Sequence, residues 1–77
     1  MKPFRPMSPN PTPANFQMQV RALLNRGVNA GILEQWSLSL RHGLNREAIR
    51  KLLMERGVHA LATDKGLEWL AKWHVQQ

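Results

Sequence analysis

"LRHGLNREAIRKLLMERG", residues 40–57, decides how this chain is read. It holds the end of one apolar-striped segment, a glycine turn, and a second segment rich in cations. Just upstream, Leu33, Trp36 and Leu40 recur at i, i+3 and i+7, one face of a helix over about 30–42. Gly43-Leu44-Asn45 then supplies what a helix corner needs: a residue free to turn left-handed, an apolar contact and a fresh N-cap at Asn45. A third helix follows over 46–56. On a 100° wheel Ala48, Ile49 and Leu52 share its inward side, while Arg46, Glu47, Arg50, Lys51 and Met54 fan across the outward side. Two helices joined in this way are either a device for reading DNA or a plain helical hairpin with a solvated face.

The same punctuation recurs on both sides. Gly27-Val28-Asn29 lies 16 residues before the central turn, and the weaker Gly57-Val58-His59 lies 14 after it. These intervals are too short and too few for a solenoid and describe a short-helix domain. Thr12-Pro13 reads as a hydroxyl cap followed by proline at the first helical position. Phe16, Val20, Leu23 and Leu24 form the stripe of that first helix, which ends near Arg26. A last helix is expected over 65–75, with Leu67, Leu70 and the i, i+4 pair Trp69/Trp73 as its packing residues.

All five prolines fall within the first thirteen residues, where they prevent a helix and favour an extended, hydrated chain. Residues 1–11 are therefore expected to be a disordered arm, mildly basic through Lys2 and Arg5, and 12–77 a helical domain. The expected fold is mainly α: a compact three- to four-helix domain with a helix-turn-helix core and room for one short β element at 58–63.

Eleven Lys and Arg against five acids give a net charge of +6 and a pI near 11.3. That balance favours polyanions: nucleic acid, an anionic membrane surface or an acidic protein. Cysteine is absent, and His42, His59 and His74 are too scattered for a metal site, so neither metal nor cofactor is expected. No nucleophile–base pair and no phosphate-cradling glycine loop can be found, which argues against an enzyme. There is neither a run of about 18 apolar residues nor the apolar core of a secretory signal. The chain is expected in the cytosol, or in the nucleus of a eukaryote, away from membranes.

Several positions in 33–56 resemble the helix-turn-helix superfamily: Ser39 as the small residue before the turn, Gly43 in it, Leu44 after it, and Ile49 and Leu52 as inward positions of the second helix. The resemblance implies that this helix enters the major groove, supported by a first helix over 14–26. Arg46 and Arg50 would then contact bases, with a guanidinium forking onto guanine O6 and N7. Asn45 would bond adenine or a phosphate, and Glu47 would accept from cytosine N4 or brace Lys51. Arg41 and Lys65 would clamp phosphates, with Lys51 on the same face. Residues 52–73 are similar to the closing part of winged members, where a "T-x-K-G" corner (Thr63, Asp64, Lys65, Gly66) precedes a terminal helix. Only one strand fits between Gly57 and Thr63, so 58–63 is a strand, a loop or helix. Departures include His42, where the superfamily usually has an apolar residue, and Leu38, which the stripe turns to solvent.

Residues 23–57 also resemble the MOZART family, small helical adaptors of γ-tubulin complexes, in the Gly27 and Gly43 turns and in Gly43, Asn45, Glu47 and Ala48. That resemblance implies a scaffold gripping a helical segment of a partner through Leu33, Trp36, Leu40, Ile49 and Leu53. Arg46 stands where that family has proline. The solvated-face reading rests instead on the i, i+4 pairs Glu47–Lys51, Lys51–Glu55 and Glu68–Lys72. The function expected from the sequence is double-stranded DNA binding, as a transcriptional regulator or an accessory factor in phage or plasmid DNA transactions. A homodimer through the Trp69/Trp73 helix would extend the contact. The alternative is an adaptor for a protein partner.

Overall fold

A computed structural model describes residues 12–73, which form α1 (Pro13–Asn25), α2 (Ala30–Arg41), α3 (Arg46–Glu55) and α4 (Asp64–Ala71). The arm assigned to 1–11 and the last residues of the expected final helix, 74–75, lie outside the described residues. Among the described residues there is no strand, and no helix is long and apolar enough to cross a membrane.

Local chemistry explains the helix starts. Thr12 Oγ1 accepts from the Asn15 N–H at 3.2 Å, Asn29 Oδ1 from Ile32 at 2.8 Å, and Thr63 Oγ1 from Gly66 at 3.0 Å. Each satisfies an N–H that the first helical turn leaves without a partner. Asn45 departs from the expected cap: it precedes α3 at φ +57° and its side chain makes no capping bond. It acts through its backbone, since asparagine tolerates the left-handed region that a tight corner needs.

The helix ends follow one rule. The N–H of Val28 reaches back to Leu23 O at 3.1 Å, Leu44 to Ser39 O at 2.8 Å, and Val58 to Leu53 O at 3.1 Å. These are the six-to-one bonds of the Schellman motif, made possible by positive φ at Gly27, Gly43 and Gly57. The third turn, the weakest signal in the sequence, is as complete as the others. It also copies the first: Arg-Gly-Val-x-Ala stands at 26–30 and again at 56–60. The copies touch, because Arg26 Nη1 donates to the Arg56 carbonyl at 3.1 Å and ties the ends of α1 and α3 together. Val28 and Val58 are driven into the core, whereas Leu44 at the α2–α3 corner remains exposed.

The core joins Phe16, Val20 and Leu23 of α1 to Leu33 and Leu40 of α2, Ile49 and Leu53 of α3, and Leu67 and Leu70 of α4. α4 packs most extensively on α2, with α1 against α4 and α3 against α2. Trp36, Trp69 and Trp73 close the edges, and Trp69 meets Phe16 with ring centroids 5.5 Å apart. In α1 the buried face includes Asn15 and Gln19 as well as the expected apolar residues, while Leu24 is turned outward.

The segment 58–63 is neither strand nor helix but a chain of turns. Val58, Ala60, Leu61 and Ala62 are all buried, which no alternating strand would allow. Two of its N–H groups make i to i+3 bonds, Ala62 N–H to His59 O at 3.1 Å and Thr63 N–H to Ala60 O at 3.2 Å. The Leu61 N–H finds the side chain of Gln19, whose Oε1 accepts it at 3.1 Å. The first turn of α4 lies directly on this segment: a Cβ on Gly66 would overlap the Ala60 carbonyl oxygen and stand 2.6 Å from Leu61 Cα. A wing has no place here.

Candidate nucleic-acid interface

α3 is rotated from the expected orientation. Its buried residues are Ile49 and Leu53, Leu52 is half-buried, and Ala48 is exposed. The face toward the domain is therefore 46/49/50/53, an i, i+3, i+4, i+7 stripe in which arginines hold two positions. Arg46 and Arg50 do not fan outward as expected. They lie along the flank of the buried stripe and reach α4, where Arg46 Nη2 and Arg50 Nη2 donate to the same Asp64 Oδ1 at 3.0 and 2.9 Å. Arg50 is held further by the Ala62 carbonyl at 2.7 Å and by Glu47 at 3.6 Å. Every nitrogen of its guanidinium has a partner, so Arg50 braces α3 against the turns before α4.

Lys51 points directly away from the buried stripe and Lys65 follows Asp64; both are exposed and make no ion pair among the described residues. Glu47 sits beside Arg50 instead of Lys51, and neither the Lys51–Glu55 nor the Glu68–Lys72 pair forms. Their side chains extend into water, where such pairs are worth little. Asn45 lies at the N-terminal end of this edge. The structure thus brings Asn45, Arg46, Glu47, Arg50 and Lys65 to one edge of α3 and α4, with Lys51 beyond it.

Arg41 lies elsewhere. Its Nε donates to the Ala71 carbonyl at 2.9 Å, and its Nη2 to Ser37 Oγ at 3.1 Å. Ser37 Oγ in turn shares its proton between the carbonyls of Ala71 and Trp73, at 3.1 and 3.0 Å. Arg41 therefore closes the C-terminal end of α4, where a cation complements the helix dipole. Arg46 and Arg50 hold the N-terminal end, roughly 10 Å away at 1.5 Å per residue. An open depression of about 490 Å³ beside Arg41 is lined by Leu40, Glu68, Ala71 and Lys72. Among the described residues no three histidine or acidic side chains converge as a metal would require.

Asp64 is the residue the sequence reading left out of the interface. Hydrogen bonds from Arg50 and then Arg46, reinforced by their charges, hold its carboxyl below the ordinary value of 3.8. The native state thus gives up this proton more readily than the unfolded chain. The resulting stabilisation is complete above about pH 4 and disappears as pH falls through the lowered value. Asp64 is solvent-exposed, so the effect is small. Thermal melts of wild type and Asp64→Asn are expected to differ slightly at pH 6 and to converge toward pH 2.

The chain matches no family model, no curated protein and no solved structure. The interface therefore stands on its own geometry. Leu33, Leu40, Ile49 and Leu53, the grip implied by the adaptor resemblance, are buried in the chain's own core, with Trp36 packed against it. Trp69 and Trp73, the expected dimer surface, likewise pack against that core.

Proposed function

We propose that this protein binds double-stranded DNA through the cationic edge of α3 and the start of α4. The observation that carries the reading is the set of charges on α3 and the start of α4, Arg46, Arg50, Lys51 and Lys65 against Glu47, Glu55 and Asp64, four cations to three acids, in a chain of net charge +6. Lys51 and Lys65 are exposed and make no ion pair among the described residues, which leaves them available for phosphate contacts. Arg46 is half-exposed and has one partner, which makes it the better-placed arginine for a base edge, with Asn45 beside it at the start of the helix. Glu47 faces outward and suits an acceptor for cytosine N4. Arg50 holds the edge in shape, while Arg41 closes the far end of α4.

Lys51→Ala and Lys65→Ala are each expected to weaken binding to random duplex DNA and to reduce the salt slope by about 0.9. Fluorescence anisotropy at two salt concentrations reads both effects. A double variant with the affinity and slope of the wild type would remove this edge from the interface.

A second reading, an adaptor for a protein partner, is favoured by one observation. Leu38 and Leu44, both at the C-terminal end of α2, are 50 and 57% exposed. If a partner docks there, Leu38→Ser and Leu44→Ser abolish its capture while the two lysine variants leave it unchanged.

A further inference from the structure

Asp64 holds the position that a ligand's anionic oxygen would take on the α3–α4 edge. Two guanidinium groups from α3, one turn apart, converge on a single oxygen of its side chain, at 3.0 and 2.9 Å. That side chain is 75% exposed, so the carboxylate can leave the pair for solvent and an incoming anion can reach it. Charge-assisted bonds from paired arginine forks are the arrangement that recognises phosphate as well as carboxylate.

The two arginines are not equally dependent on Asp64. Arg50 remains fixed by the Ala62 carbonyl at 2.7 Å, so its Nη2 stays aimed at the same point without the carboxylate. Arg46 has no other partner among the described residues and is freed when the charge is removed. Glu47, 3.6 Å from Arg50 Nε, is the other acid facing the pair, and Lys65 adds a neighbouring cation.

We propose that Arg46 and Arg50 form a site for one phosphodiester oxygen whose resident occupant is Asp64, an internal counter-ion that limits the affinity of the edge for DNA. The proposal rests on the DNA-binding reading. A phosphate approaching the wild-type edge meets arginines already engaged and a negative charge between them. Neutralising that charge removes a repulsion of about fivefold in affinity at close range in water and admits one more phosphate. The salt slope then steepens by up to about 0.9.

The experiment compares the full chain as wild type, Asp64→Asn, Arg46→Ala and the double variant. Each is titrated by anisotropy against one random DNA duplex at two salt concentrations, with circular dichroism confirming the fold. The expected result is tighter binding and a steeper slope for Asp64→Asn, and loss of that gain in the Arg46→Ala background. Unchanged or weaker binding by folded Asp64→Asn overturns the proposal, and leaves the DNA reading intact if the wild type binds. Absence of binding by both overturns the two together. Asp64→Ser, which removes the charge but keeps a small polar group at the helix start, repeats the test if asparagine impairs folding.

Discussion

Gly66→Ala is expected to destabilise the domain by at least about 3 kcal/mol, the upper part of the range for steric overpacking. Local preference predicts the opposite sign: alanine is favoured over glycine inside a helix by about 0.8–1 kcal/mol. The packing decides against it. The added methyl would overlap the Ala60 carbonyl oxygen and crowd the Leu61 backbone, and neither neighbour is a flexible side chain that can swing away. Relief would require α4 to lift from residues 60–61, which takes Leu67 and Leu70 out of the core. A domain this small has a stability at the low end of the usual 5–15 kcal/mol, so a loss of this size removes more than half of it. Urea denaturation followed by tryptophan fluorescence checks it. A midpoint equal to or above that of the wild type would mean that α4 does not rest on the 60–61 backbone.

Gln19→Leu is the second large effect, with an expected loss of about 2 kcal/mol. Gln19 is fully buried on α1, and leucine at that position adds apolar surface of similar volume to the core. Counting hydrophobic area alone would therefore predict a gain. The side chain is there for another reason, because its Oε1 accepts the buried N–H of Leu61. Leucine strands that donor away from water, at a cost of about 1–3 kcal/mol. Hydrogen exchange at the Leu61 amide gives a local reading: protection should fall more there than at Leu53, in the middle of α3. Equal losses at both would point to general loosening instead of a broken bond.

Both effects lie at the 58–63 segment, and that is where the sequence was least legible. The helix starts at Thr12, Asn29 and Thr63 and the glycine stops at 27, 43 and 57 are local chemistry, so a short stretch is enough to read them. Gln19 could not be read in this way, because its partner lies 42 residues away and is a backbone group with no signature. The orientation of α3 failed for a related reason. Ala48, Ile49, Leu52 and Leu53 form an apolar arc broad enough to accept more than one rotation. The rotation adopted buries Ile49 and Leu53 and lets Arg46 and Arg50 reach Asp64, contacts 18 and 14 residues apart in the chain. The cationic residues of the proposed interface were thus visible in the sequence, but the contacts of Arg46 and Arg50 were not. Lys51 and Lys65 kept their expected exposure, while Arg41 and Arg50 proved to be braces between elements.

DNA binding by the α3–α4 edge is tested most directly by anisotropy titration of the wild-type chain against a random DNA duplex at low and at moderate salt. Phosphate contacts release counterions, so log affinity should fall linearly with log salt, with a slope of about −0.9 for each neutralised phosphate. With Lys51 and Lys65 engaged, a slope of about −2 is expected. A folded protein of net charge +6 that does not bind at low salt, or binds with no salt dependence, would contradict the DNA-binding reading and shift attention to the exposed Leu38 and Leu44 surface.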